Sequence, residues 1–246
     1  MEAIFNILKY DIISSTNDEA KNILQQKNIP DFTVITAEEQ TKGRGQRNNS
    51  WHSNKSENLL LSIISFPNKI NAVNQFYLSK VISLGIIDYL NTKANDFKIK
   101  WPNDIYFKDK KICGILIENT VSGSFIKNSI AGIGLNINQT QFPDFLPDAI
   151  SLNLITGKKF ELEYELKELL IFLKNKFNLL KPDSFFEIDN RYHENLYKIY
   201  EKSGFKDSNG IFEGTITGTL PQGNLIIKIN DNKTKTYAFK EIEFII

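Results

Sequence analysis

The 246-residue chain carries 30 Lys plus Arg against 29 Asp plus Glu, a formal net charge of +1, so it lacks the basic excess of a protein that coats DNA or RNA. Its 41% hydrophobic and 24% charged residues are the balance of an ordinary soluble globular protein, enough for one large domain or one domain with a small appendage. The one cysteine, Cys113, rules out an internal disulfide, the two distant histidines (His52 and His193) argue against a His-based metal centre, and apolar runs such as LLLSIISF at 59–66 fall short of a membrane span.

The N-terminal MEAIFNILKYD has no basic start followed by an apolar stretch, which predicts a cytoplasmic protein without a secretory signal. STNDEAKNILQQ pairs Thr16 with Glu19 in a capping-box pattern and predicts a helix from Asn17 to Lys27. FTVITAEE (32–39) is β-branched and predicts a strand running directly into the loop TKGRGQRNNSW (41–51). ENLLLSIISF (57–66) is a continuous apolar run between polar clusters, as in a central strand. In 73–90, Phe76, Leu78, Val81, Ile82, Leu84, Ile86 and Leu90 recur at helical spacing. FKIKW, DIYF and KICGILIE (111–118) follow as strands, the last two separated by a KDK turn. SIAGIGLNIN (129–138) reads as another strand, with Gly132 and Gly134 thinning one face for a close neighbour. Two helices follow, an amphipathic one over 161–181 and a second over 184–197. After Gly204, short β-rich pieces alternate with Gly, Pro and Asn turns, which predicts a small all-β unit of five strands behind a larger domain of helices and strands.

Four stretches can carry chemistry. In the loop, Gly43 and Gly45 let backbone N–H groups close on an anion, while Arg44 and Arg47 add planar, fixed charges suited to carboxylate or phosphate. No GKS or GKT follows, so it is not a Walker loop. A solvated surface loop would look similar, and Trp51 taken alone reads first as a core aromatic. In KWPNDIYFKDKKICGILIE (100–118), Pro102 marks a strand end, and Asn103 and Asp104 present polar side chains where the chain turns. A hairpin returning through FKDKK would bring Lys111 back towards Asp104, although an ordinary turn with a surface salt bridge has the same spacing. Ser15, Thr16 and Asn17 sit at a helix start where free N–H groups and hydroxyls can meet polar ligand atoms, though capping alone explains Thr16. Asn136 and Asn138 lie two apart on the 129–138 strand, hence on the same face, and Gln40 precedes the loop.

In this order and spacing, STN, AEEQTKGRGQRNNSW, KWPNDIYFKDKKICGILIE and GIGLNIN closely resemble the catalytic domain of the biotin protein ligases, over about residues 8–138. The KWPND…K…GIL.E stretch is highly specific to that family, and the terminal β unit fits its C-terminal domain. The family's loop reads approximately GRGRxGRxW; here Gln46 stands where an Arg is common, Asn48 where a Gly is, and Asn49 where another Arg is.

The resemblance implies an α+β fold, a mixed β-sheet with helices packed on it as in class II synthetases, plus a C-terminal SH3-like β-barrel. The corresponding division is a biotin- and ATP-binding domain over 1–183 and a linking helix plus barrel over 184–246. It implies that biotin and MgATP form biotinyl-5′-AMP, with the biotinyl group then passing to a lysine of a biotin carboxyl carrier protein or carrier domain. By similarity Ser15, Thr16, Asn17 and Gln40 line the ureido pocket, Arg44, Gly45, Gln46, Lys111 and Gly114 surround the rest of biotin, and Arg44 and Lys111 are the catalytic cations that offset the repulsion as the biotin carboxylate attacks the α-phosphate. Trp51 would stack on adenine with Asn103 and Asn138 as polar contacts, and Asp104 would orient and deprotonate the acceptor lysine. Mg²⁺ would be held by phosphates and water, without dedicated protein ligands. The 14 residues before Ser15 are too few for the helix-turn-helix of the repressor forms, so no DNA partner is expected; a homodimer is compatible with the family. The rival readings are a lipoate or octanoate ligase or transferase of the same fold, which KWPND with GRGQ disfavours, and a non-catalytic RNA-binding module, which the near-zero charge disfavours.

Overall fold

The computed structural model describes residues 5–26, 28–46, 49–230 and 233–245, and it opens on a strand that the sequence pattern hides. β1 (Ile7–Ile13) forms one edge of a seven-stranded sheet and pairs in parallel with β2 (Thr33–Gln40), so its alternation is blurred by polar and apolar residues half-buried on both faces. Between them runs α1 (Thr16–Ile23). The capping box expected at its start does not form. Ser15 holds the N-cap position without a side-chain cap bond, the Thr16 hydroxyl turns to Gln40, and Glu19 accepts from Tyr10 and Asn22. Tertiary partners claim both side chains that the box would use. The helix also stops sooner than expected, unwinding through Gln25 and Gln26 on tighter bonds; Lys27 lies outside the described residues.

The apolar run becomes β3 (Leu59–Ser65), and every residue in it is buried. A strand needs no polar face when both faces are covered. On one side Ile64 joins Ile35 and Ile130 beneath Ala20 and Ile23 of α1. On the other, Leu59, Leu61 and Ile63 meet α2 (Phe76–Leu90), buried at every position except Ser79 and Asp88. That helix is buried nearly all round because it lies between the sheet and α4, introduced below.

The sheet continues through β4 (Phe97–Lys100), β5 (Asp104–Phe107), β6 (Lys110–Ser122) and β7 (Phe125–Leu135), in the order β1-β2-β3-β7-β6-β5-β4 and antiparallel from β2 onward. β7 ends at Leu135, so Asn136 and Asn138 are not strand residues as the alternation suggested. Their backbone N–H groups turn to Ile112 O and Glu57 O, outside the ladder. After the short α3 (Leu152–Thr156), α4 (Leu162–Phe177) covers α2, and Gly85 allows the approach: a Cβ there would lie 3.0 Å from Leu173 Cδ2. Leu166, Leu169, Leu170 and Leu173 are buried at this contact, each burial stabilising by about 1.5–3 kcal/mol.

α5 (Phe185–Glu194) bonds to both parts of the chain. Its Asp189 accepts from Lys80 at 2.5 Å and Tyr77 at 2.8 Å on α2, while His193 meets Thr219 of β9 (Gly210–Thr219). With β8 (Lys202–Asp207), β10 (Leu225–Asn230), β11 (Lys233–Tyr237) and β12 (Glu243–Ile245), β9 forms an antiparallel sheet in the order β11-β10-β9-β8-β12, as the turn-rich C-terminal sequence predicts and as an SH3-like unit requires. Trp101, buried at the end of β4, donates its indole N–H to Gly223 O at 2.8 Å and packs on Phe239. The turn leading to Asp104 is thereby fastened to the C-terminal unit. Among the described residues no helix is long and apolar enough to cross a membrane.

Candidate active site

The floor of the site is made by glycines. Gly114 of β6 and Gly134 of β7 are direct register partners, and the Trp51 indole lies across both. A Cβ on Gly134 would sit 2.3 Å from Trp51 Cε2, and one on Gly114 would sit 2.9 Å from Cζ3, so only bare backbone admits the ring. Gly132, partner of Leu116, does the same for Asn17: its Cβ would lie 2.3 Å from Asn17 Oδ1.

The Gly-Arg loop is closed at its neck. Trp51 N–H donates to Gly43 O at 2.9 Å, and a Cβ on Gly43 would collide with Trp51 O. Further out, Gly45 N–H donates to Asn49 O at 2.7 Å. Arg47 and Asn48 lie outside the described residues.

One polar wall descends from α1 and β2. Gln40 Oε1 accepts from Thr16 N–H at 2.7 Å and lies 3.1 Å from its hydroxyl. Ser62 Oγ is 2.6 Å from Asn17 Oδ1 and 2.7 Å from Thr16 Oγ1. Asn17 Nδ2 faces two acceptors, Glu118 Oε2 at 2.8 Å and Leu116 O at 3.3 Å, which sets the amide's orientation. Oδ1 can therefore only accept, and the Ser62 proton goes to it. Ser15, Thr16 and Asn17 are all buried, so this wall presents a preset pattern of donors and acceptors.

The charges are paired. Arg44 Nη2 stands 2.8 Å from Asp18 and 2.9 Å from Glu118, while Lys21 reaches the other Glu118 oxygen at 2.7 Å. Burial alone would raise the Glu118 carboxyl, but Lys21, Asn17 and Arg44 outweigh it and hold the group below its ordinary 4.5. Across the cavity Lys111 Nζ is 2.8 Å from Asp104 and 5.8 Å from the Trp51 ring centroid. The return expected through FKDKK is present: β5 pairs β6 with Asp104 opposite Gly114 and Tyr106 opposite Lys111, with a register shift between Ile105 and Tyr106. Asn103 is bonded to Ile115 at both ends, its side chain to the carbonyl and its carbonyl to the N–H.

These groups line one cavity of about 530 Å³. Ser15, Thr16, Asn17, Gln40, Arg44, Gly45, Gln46, Trp51, Asn103, Asp104, Lys111 and Gly114 all face it. Asn138 does not. Its amide donates to Phe160 O at 2.8 Å and accepts from Phe160 N–H at 2.9 Å, which spends the side chain on pinning a loop. Sequence reasoning missed Asp18 and Glu118, although Glu118 closes GILIE and Asp18 adjoins Asn17. It also missed Phe145 and Leu146, which enter the rim because Lys111 N–H and O bond Asp148 O and Ile150 N–H. Phe145, 69% exposed, meets His52 edge-on, and no periodicity marks the segment that carries it. Among the described residues no group of three or more His, Cys, Asp or Glu gathers, and the Asp104 carboxylate is engaged by Lys111.

The model of the biotin/lipoate A/B protein ligase family matches residues 10–136. The chain is 29% identical over 237 residues to the bifunctional ligase/repressor BirA of Bacillus subtilis, covering 95% of this chain and 72% of that protein. It is 32% identical over 127 residues to the biotin–[acetyl-CoA-carboxylase] ligase of Mycobacterium tuberculosis, covering 50% and 45%. A solved biotin protein ligase from Aquifex aeolicus in complex with biotin and ATP superposes with a TM-score of 0.80 at 27% identity over 98% of both chains.

Proposed function

The chain belongs to the biotin/lipoate A/B protein ligase family, and from that premise we propose that it activates biotin with ATP to biotinyl-5′-AMP and transfers the biotinyl group to a lysine of a biotin carrier domain. The observation that carries this reading is a single cavity in which a rigid donor–acceptor wall, a glycine-backed indole, an Arg-bearing loop and a Lys–Asp pair converge.

Each part has a task in that chemistry. The Ser15–Thr16–Asn17 wall with Gln40 suits the ureido ring, whose N–H and C=O groups need fixed partners; a polar group buried unpaired costs about 1–3 kcal/mol. A carboxylate attacking an α-phosphate brings two anions together, and Lys111 with the amides of Gly45 and Gln46 would offset the repulsion. Trp51 offers adenine a flat face that Gly114 and Gly134 hold in place from behind. Asp104 would orient the acceptor amine and take its proton, since a free lysine with a pKa near ~10.4 is otherwise a poor nucleophile. Mg²⁺ would arrive on the phosphates and neutralise them there.

The test is incubation with labelled biotin, ATP and a biotin carrier domain, with lipoic and octanoic acids in parallel arms. Label on the carrier lysine, with stoichiometric pyrophosphate, is expected from biotin alone. Transfer from lipoic or octanoic acid, or none from biotin, overturns the reading.

A further inference from the structure

Arg44 lines the cavity, yet its terminal nitrogens are already paired with carboxylates. Nη2 is shared between Asp18 Oδ1 at 2.8 Å and Glu118 Oε2 at 2.9 Å, and Nη1 lies 3.4 Å from Glu118 Oε1. The Nε atom is buried and has no partner among the described residues. Two carboxylates from different elements, α1 and β6, therefore grip one guanidinium that belongs to a third.

The grip is braced from behind. On α1, Lys21 lies four residues beyond Asn17 and three beyond Asp18 and so neighbours both, and Glu118 accepts from Asn17 at 2.8 Å and Lys21 at 2.7 Å as well as from Arg44. Glu118 cannot turn away without releasing three donors, and the Asn17 amide is locked in turn by Ser62. An isolated exposed ion pair contributes little, but a half-buried carboxylate shared by three donors holds geometry. Swinging Arg44 onto a ligand would break the charge-assisted bonds to both carboxylates at once.

Resting on the ligase reading above, we propose that Asp18 and Glu118 are positioning residues that clamp the Arg44 side chain and so hold the backbone of residues 43–46 against the acyl-adenylate. Arg44 then acts as the anchor of the loop, and the backbone of Gly45 and Gln46 presents the contacts to the intermediate. The clamp sets how long the intermediate stays shielded from water, a property distinct from how fast it is made.

The full chain is used in all arms. Amide hydrogen exchange of ligand-free protein reads this backbone directly: residues 43–46 should exchange at least about tenfold faster in Glu118→Gln and in Asp18→Asn than in wild type, with the exchange of β3 unchanged. Biotinyl-adenylate is then formed, stripped of free substrates and followed to hydrolysis; each variant should shorten its lifetime by about tenfold or more. The decisive comparison adds Arg44→Gln. If the three side chains act as one clamp, Glu118→Gln on that background should produce no further loss. Losses that multiply, or wild-type exchange in both single variants, overturn the clamp. Asp18 is exposed enough that its substitution leaves the fold intact if Glu118→Gln proves unstable. Failure of the wild type to form an adenylate would overturn the ligase reading alone, because the exchange experiment needs no ligand.

Discussion

The Trp51 indole lies flat on Gly134, so close that a single methyl group on that glycine would stand 2.3 Å from Cε2. The indole is therefore seated on bare backbone, and it lines the cavity together with Gly114 and Gly134. Trp51→Ala should lower affinity for ATP and for the adenylate by roughly 1–3 kcal/mol, the range for stacking a base on an aromatic ring. Gly134→Ala should reproduce most of that loss by displacing the ring, with biotin binding less affected in both. Calorimetry with biotin, ATP and adenylate separates the terms; equal losses for all three would return Trp51 to a purely packing role.

Gly132 makes the same kind of opening for Asn17, and the consequence falls on the other substrate. An added methyl must push Asn17 off Ser62 and Glu118, with an overpacking cost of about 1–3 kcal/mol. Gly132→Ala is expected to raise the biotin KM at least about tenfold and to lower the melting midpoint, while the ATP KM changes little. Steady-state kinetics in each substrate and a thermal melt check both parts.

How legible such contacts are depends on how local they are. The Lys111–Asp104 pair could be anticipated because a hairpin register is settled by a few intervening residues. The buried strand over Leu59–Ser65 and the helix over Phe76–Leu90 were likewise written in hydrophobic patterns, the first continuous and the second at helical spacing. The capping box failed because Gln40, 24 residues on, outcompeted the local bond for Thr16. The resemblance implied an adenine contact for Asn138, but Phe160, 22 residues away, takes its amide. Asp18 and Glu118 meet only through Arg44, which lies 74 residues from Glu118, and no periodicity reports a contact of that range. The edge strand Ile7–Ile13 was missed because its residues are half-buried or exposed with no clear alternation.

His193 ties α5 to β9 and gives stability a pH dependence. Its Nε2 accepts the Thr219 N–H at 3.0 Å, which requires an unprotonated nitrogen. Burial first, and then the Lys80 ammonium, lower its proton affinity below the ordinary 6.5, with Asp189 pulling the other way. The unfolded chain therefore binds the proton more readily than the folded one. Stability from this group is fully present above 6.5 and is lost as pH falls from there through the lower folded value. His193→Gln keeps an acceptor for Thr219 but cannot titrate, so its melting midpoint should fall less than that of wild type across the same acidification. Parallel slopes for the two proteins would remove His193 as the cause.

Lys111 and Asp104 form one ion pair at 2.8 Å, yet the proposed chemistry assigns them to different steps. Lys111 stands where negative charge builds as a carboxylate attacks phosphate, and a donor aimed at developing charge is worth about 10²–10³-fold in rate. Lys111→Gln keeps the length and polarity of the side chain and loses the charge, so adenylate formation should slow by that order. Transfer from supplied biotinyl-adenylate should be less affected. Asp104→Asn keeps the shape and loses the base; transfer to the carrier lysine should drop by about 10²–10⁴-fold, with pyrophosphate release falling less. The pairing complicates each variant, since removing one partner leaves the other charge uncompensated, but both groups remain partly solvated, which limits that cost. The pair effect is also common to both variants, whereas the assigned roles are not. The two half-reactions measured separately in both variants resolve them: opposite biases support the division, and identical profiles mean that the pair acts only as a unit.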